Sequence, residues 1–408
     1  MSARILNADC LAALRDMPDA SVDAVVTDPP YGLSNTTPAQ VADTITRWVS
    51  GDREYLPSAR GFMGHEWDGF VPPVAVWDEC LRVLKPGGHL LAFAGSRTQD
   101  LMGLAVRLAG FEIRDSIAWL HAQGFPKSLD VSKAVDKMQG AEREKILMPT
   151  KPGNALNPGG IGGEGRGGWS DHSSPATDAA RQWEGWGTAL KPAFEPVTLA
   201  RKPLSGTVAA NVLEHGTGAL NIDACRVPTT DKLSGGHASA GQQMSDGWRR
   251  PWMDDPDAVK ANIERSRASV AKSESLGRWP ANVVLDESQA AELDRQGGAS
   301  RFFYVAKAPK SERPVVDGTA HPTVKPLALM RWLVRMVTPP GGTVLDPFAG
   351  SGTTLEAAML EGFNVIGIER EADYLPLIQA RIERATAELA ARAEADADAL
   401  FPIDGAAS

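Results

Sequence analysis

Two short stretches of this 408-residue chain carry residue types that could do chemistry. The first, Asp28-Pro29-Pro30-Tyr31, closes the strand-like apolar run Asp23-Ala24-Val25-Val26-Thr27. A carboxylate, two stiff prolines and an aromatic ring therefore stand just past a buried strand, at the edge where open α/β sheets bind ligands. Proline fixes φ and donates no backbone N–H, so the carbonyls around it are left free to accept. An acceptor carboxylate, free carbonyls and a stacking ring suit a planar group bearing an exocyclic amine, such as adenine or cytosine. The competing explanation is a Pro-Pro turn that merely ends a strand, and on the tetrapeptide alone the chemical reading leads only slightly.

The second stretch is Thr343-Val344-Leu345-Asp346-Pro347-Phe348-Ala349-Gly350-Ser351-Gly352-Thr353-Thr354. It predicts a strand to Asp346, a tight glycine loop, and a helix from about Thr353 to Glu361 that Gly362 ends. A further strand, Asn364 to Glu369, finishes in an acid. In such a β-loop-α-β unit, glycines let the backbone approach a ligand and an acid about 20 residues on grips ribose hydroxyls; Glu369 stands in that place. No Lys follows Gly352, which excludes a P-loop. Leu355 occupies the third glycine position of a dinucleotide fingerprint and would crowd the helix–strand contact. A nucleoside cofactor without a pyrophosphate remains, and S-adenosylmethionine fits. Its ribose would meet Glu369 and its ammonium Asp346 or Asp28, with Phe348, Gly350, Gly352 and Thr353 forming the loop and helix start.

Together these residues resemble the DNA amino-methyltransferases, which methylate adenine N6 or cytosine N4. The tetrapeptide comes first here and Phe348-Ala349-Gly350-Ser351-Gly352 last, an order similar to the circularly permuted β subgroup. The resemblance implies a Rossmann-like α/β methyltransferase sheet with helices on both faces and an inserted target-recognition region. It further implies double-stranded DNA as partner, a flipped-out target base, and room for a homodimer and a cognate restriction enzyme. Asn7-Ala8-Asp9-Cys10 resembles the lead-in to the catalytic strand and places Asp9 near the cofactor's adenine. His321-Pro322-Thr323-Val324-Lys325-Pro326 resembles the segment that flanks the cofactor's methionine end, which assigns Thr323 and Lys325 there. The Asp-led tetrapeptide favours adenine; cytosine N4 is the alternative, and an RNA or protein amino-methyltransferase a more distant one. C5-cytosine methylation needs a cysteine after a proline, and none of Cys10, Cys80 and Cys225 has one.

The elements that must position these residues follow from the pattern. A helix is expected near Val74 to Leu84, a strand at His89 to Ala94, a helix at Thr98 to Ala109 and a strand at Phe111 to Leu120. Ala193 to Lys202 is expected to return to the sheet. The expected divisions are 1–204 for the catalytic half, with a Gly-rich insertion at about 124–187, then 205–300 for target recognition, 301–384 for the cofactor half, and 385–408 as a helix fading into an acidic, disordered tail. In 205–300, Trp248-Arg249-Arg250-Pro251-Trp252 and Arg278-Trp279 interleave cations with indoles. That suits phosphate contact and stacking, although tryptophans of an ordinary insertion could equally pack its own core. Arg249, Arg250 and Arg278 are the candidate DNA contacts.

The formal net charge is −9. Residues 369–408 hold nine acids and four arginines, a net of −5, and the remainder therefore carries −4. Weak phosphate contact and a shallow salt dependence are expected. Scattered cysteines without metal spacing argue against a disulfide framework or a metal centre and for a reducing cytoplasm, where the resemblance implies association with the nucleoid. No apolar run is long enough to span a membrane.

Overall fold

The computed structural model describes residues 2–34, 36–58, 68–122, 128–149, 169–231, 254–306, 312, 314–316, 319–321 and 323–400. Arg249, Arg250 and the glycine-rich stretch 154–168 lie outside the described residues.

A nine-stranded sheet organises the larger of two compact units, residues 1–122 and 194–408. Its strands are β1 (Ala3–Asn7), β2 (Val22–Thr27), β3 (Leu84–Phe93), β4 (Glu112–Leu120), β5 (Phe194–Arg201), β6 (Val283–Asp286), β7 (Tyr304–Ala306), β8 (Thr343–Asp346) and β9 (Asn364–Glu369). They lie in the order β1-β9-β8-β2-β3-β5-β4-β6-β7. Every pairing is parallel except those of β5, which runs antiparallel between β3 and β4.

Side chains alternate between the faces of a strand, and here both faces are covered. Ala24 and Val26 of β2, with Leu91 and Phe93 of β3, pack under the helices Leu327–Val337 and Thr353–Leu360. Val25, Leu90 and Ala92 face the helices Cys10–Arg15, Val74–Val83 and Gln99–Leu108. All six residues of β2 are buried, which explains why Ala24, Val25 and Val26 follow one another without a polar residue between them. Its one acid, Asp23, is satisfied on both oxygens: Lys85 Nζ lies 2.6 Å away and the Thr343 N–H donates at 2.8 Å, tying β2 to the first residue of β8.

Two expected boundaries are corrected. Val283–Asp286, inside the span 205–300 read as a separate recognition region, is a strand of the main sheet, and Val284 and Leu285 are fully buried in it. The apolar run, Val283 to Leu285, is only three residues long and its polar surroundings hid it. The helix expected to start near Ala385 begins at Leu375 and runs unbroken to Leu400. Leu377, Ile378 and Ala385 are buried along one face, and Arg381 pairs with the buried Glu356 of the helix Thr353–Leu360. That helix therefore belongs with the cofactor half, while residues 401–408 lie outside the described ones.

Residues 123–193 form the second unit. It contains the helices Val131–Met138 and Asp178–Gln182 and an antiparallel ladder of Lys145–Pro149 with Trp169–Ser173. Its hub is Asp136, which is 1% exposed. Asp136 accepts from Arg143 Nε at 2.6 Å, from the N–H groups of Ala176 and Thr177, and from Thr177 Oγ1. Among the described residues no helix is long and apolar enough to cross a membrane, and no group of three or more His, Cys, Asp or Glu could hold a metal ion.

Candidate active site

The two motifs, more than 300 residues apart in the chain, sit on adjacent strands. β2 pairs in parallel with β8 through Ala24–Val344 and Val25–Leu345. The carboxyl ends of both strands therefore open on the same edge, and Thr27 Oγ1 donates to Asp346 Oδ1 across it at 2.7 Å. In a parallel sheet that edge is the ligand edge.

Asp28 follows β2 and has both oxygens engaged. Lys325 Nζ lies 2.7 Å from Oδ2 and the Tyr31 hydroxyl 2.8 Å from Oδ1. A second carboxylate, Glu195, enters from the start of β5: its Oε2 is 2.8 Å from the same hydroxyl and 3.1 Å from Lys325 Nζ. His121 Nε2 stands 3.5 Å from Glu195 Oε1. Burial alone would push the Lys325 ammonium down, but Asp28 and Glu195 outweigh it and hold the pKa above its ordinary value. Burial works to raise Glu195, and Lys325 brings it below the usual carboxylate range. Tyr31 is held well above its ordinary value by burial and by the two carboxylates, so its hydroxyl remains a neutral donor.

The chain then turns sharply. Asp68 Oδ1 accepts the N–H groups of Tyr31 and Gly32 at 2.9 and 3.0 Å, and Thr98 Oγ1 donates to the Tyr31 carbonyl at 2.6 Å. Gly32 has φ +65°, and a Cβ there would lie 2.7 Å from the Val71 nitrogen, so only glycine fits. Pro29 is buried beside this turn and Pro30 half-buried.

The glycine loop needs fewer outside partners. Asp346 also accepts the Phe348 N–H at 3.1 Å. Glu369, at the end of β9, accepts the N–H groups of Gly350 at 2.7 Å and Glu371 at 2.8 Å. Gly352 has φ +80° and caps the helix Thr353–Leu360, whose first residue Thr353 is buried with its hydroxyl 3.1 Å from that of Ser351. Asp346 is 1% exposed and no lysine or arginine pairs with it among the described residues. Burial pushes its carboxyl up to about 6. A buried carboxylate met only by hydroxyl and amide donors suits a ligand ammonium, and Glu369 keeps lone pairs for ribose hydroxyls. These residues fit the two ends of S-adenosylmethionine.

Asp9 is engaged within its own segment. Its Oδ1 caps the helix Cys10–Arg15 by accepting from Leu11 and Ala12. It nevertheless follows β1, whose Asn7 donates to the Glu369 carbonyl at 2.9 Å. The segment around Thr323 links the two motifs. Its His321 ring lies against Gly350, where a Cβ would be 3.1 Å from Nε2, and His321 Nδ1 bonds the Thr323 carbonyl. Four residues beyond His321, Lys325 reaches Asp28. The Lys325 ammonium, assigned to the cofactor's methionine end by resemblance, pairs here with Asp28 and Glu195. The guanidinium of Arg278, a candidate DNA contact, lies 2.5 Å from Asp231 Oδ2 and over the Phe302 ring.

Glu195, Asp68 and Thr98 are neighbours of the tetrapeptide that motif reading missed, and His121, a lone histidine after a strand, had no pattern to set it apart from a packing residue. Glu195 alone left a trace, as a single acid beside Pro196 at the start of an otherwise apolar strand.

A strand-end carboxylate and aromatic ring thus stand beside a glycine loop on the ligand edge of the sheet. The chain belongs to the N6/N4 DNA methylase family: the family profile described as DNA methylase matches residues 22–380. It is accordingly an S-adenosylmethionine-dependent DNA methyltransferase. It is 24% identical over 394 residues to the Type II methyltransferase M.HindIII of Haemophilus influenzae, covering 90% of each chain. Type II methyltransferase M.BglI of Bacillus subtilis is 33% identical over 139 residues, 33% of this chain and 38% of that protein. Among solved structures, the cytosine-N4-specific PvuII DNA methyltransferase aligns with a TM-score of 0.42 and 14% identity over 95% of this chain and 90% of that one.

Proposed function

We propose that this enzyme methylates the exocyclic N6 of adenine at a specific site in double-stranded DNA, with the target base flipped out of the helix. The observation that carries the reading is the hydrogen-bonded pairing of β2 with β8, which sets the Asp28 tetrapeptide beside the Asp346–Thr354 loop. The choice of adenine rests on the aspartate that leads the tetrapeptide. Bound S-adenosylmethionine supplies an electrophilic methyl group.

The exocyclic amine of a base is a poor nucleophile because its lone pair is delocalised into the ring. Asp28 and the Pro29 carbonyl would each accept one of its N–H bonds, drawing the nitrogen towards sp3 and aiming the lone pair at the methyl group. Tyr31 would stack on the base, its hydroxyl held in place by the carboxylates. Catalysis is then orientation and electrostatic complementarity, with no strong base required. A base inside the duplex cannot reach Asp28, hence the flip.

In this reading target recognition belongs to the chain between the two motif halves, with Arg249 and Arg250 as phosphate contacts. The Type II names of the relatives support a cognate restriction enzyme as partner. The test uses methyl-labelled cofactor and unmethylated bacterial genomic DNA, followed by digestion to nucleosides and mass spectrometry. Label on adenine N6 is the expected result. Label on cytosine N4 overturns the choice of base, and cofactor binding without labelled DNA overturns the DNA reading.

A further inference from the structure

Lys325 presents a problem for the chemistry just described. An ammonium 2.7 Å from Asp28 Oδ2 competes for the oxygens that must accept the base amine, and it places positive charge where the amine nitrogen becomes positive during transfer. A site with Asp28 and Lys325 alone would be electrically neutral. Glu195 alters that balance. It lies 3.1 Å from the same ammonium and 2.8 Å from the Tyr31 hydroxyl, so two carboxylates share one lysine. The side chains of Lys325, Asp28 and Glu195 are 8%, 22% and 23% exposed, so water screens them little.

We propose that Glu195 is a positioning residue of the transfer step: it draws Lys325 and the Tyr31 hydroxyl away from Asp28 as the base amine binds, and it leaves the cluster with net negative charge. The Lys325 ammonium stays paired throughout, because one partner replaces the other without its entering water. Asp28 thereby regains acceptor capacity for the amine. Asp28, Glu195 and Lys325 together carry one more negative than positive charge, complementing the positive charge that develops on the nitrogen. The position of Glu195 follows from topology. β5 is the antiparallel strand, so its beginning meets the carboxyl ends of its parallel neighbours.

This inference rests on the base-methylation reading above, and the experiment separates the two. Single-turnover transfer from tritiated S-adenosylmethionine to unmethylated bacterial DNA is measured with the full chain, with cofactor affinity measured in parallel. Glu195→Gln keeps size and an acceptor oxygen but removes the charge. It should slow transfer roughly 10- to 100-fold while cofactor affinity is unchanged. Glu195→Asp restores the carboxylate and should recover part of that loss. The double variant Glu195→Gln/Lys325→Met returns the cluster to net negative charge and should transfer faster than Glu195→Gln alone, a rescue that a merely structural role would not give. Wild-type rates in Glu195→Gln overturn the inference and leave the base-methylation reading standing. So does a double variant no faster than Glu195→Gln when Glu195→Asp is equally slow. A wild-type enzyme that binds cofactor but labels no DNA overturns both.

Discussion

The two loops at the ligand edge are built on different plans. The glycine loop closes on its own neighbourhood: Asp346 holds Phe348, Gly352 donates to the Ala349 carbonyl at 2.7 Å, and Glu369, one strand on, holds Gly350. The tetrapeptide loop is braced from across the chain, by Asp68 and Thr98 from one side and by Glu195 and Lys325 from two further elements. A backbone-built loop can cradle a ligand with few special side chains. A loop that must hold a carboxylate and a ring to within fractions of an ångström needs side chains locked by their own partners.

Breaking each loop should have different signatures. The largest effect is expected for Asp28→Ala, which removes the acceptor: transfer falls about 10³-fold or more while cofactor affinity is retained, as single-turnover assay and calorimetry would show. If affinity falls in parallel, the two loops are not separable. Tyr31→Ala should cost about 10²-fold in transfer through lost stacking, and Tyr31→Phe less than about tenfold, since it gives up a hydrogen bond and keeps the ring. Equal losses would remove stacking from the account.

On the cofactor side, Asp346→Asn should weaken S-adenosylmethionine about 10- to 100-fold by removing a charged acceptor. Because burial raises Asp346 to about 6, the native carboxyl keeps its proton up to that pH, whereas the unfolded chain loses it near 3.8. The contribution of this group to folding stability is therefore present at low pH and lost as pH rises through about 6. Wild-type cofactor affinity should fall by up to about tenfold per unit below that pH, and the Asn variant should show no such slope. The smallest effect is expected for Asp9→Ala: about 1 kcal/mol of stability through the lost helix cap, read by thermal melting. A large loss of cofactor affinity there would give Asp9 a ligand contact in addition to its cap.

The same contrast explains what the sequence made legible. The glycine loop, the helix after it and Glu369 are local in the chain, so spacing revealed them. Both motif strands were legible because buried parallel strands are written as continuous apolar runs. The partners of Asp28 were not, because Lys325 is 297 residues away and no local pattern records which cation a carboxylate will meet. Lys325 was legible as a matched position but its pairing with Asp28 was not, and Glu195 was missed although its strand was anticipated. The strand Val283–Asp286 escaped for a different reason: three apolar residues amid polar ones carry too little periodicity to identify.

The ladder between β4 and β5 has a consequence for how this sheet can change. Leu120 and Phe194 are cross-strand partners, so the chain leaves the sheet and rejoins it at the same rung, with residues 123–193 as a separate compact unit between. A hairpin closed at its base is indifferent to what is strung on it: each doubling of the connection costs only about 0.6 kcal/mol. This rung is a socket, at which a whole module can be exchanged, shortened to a turn or lengthened in the course of evolution while the strands on either side keep their register.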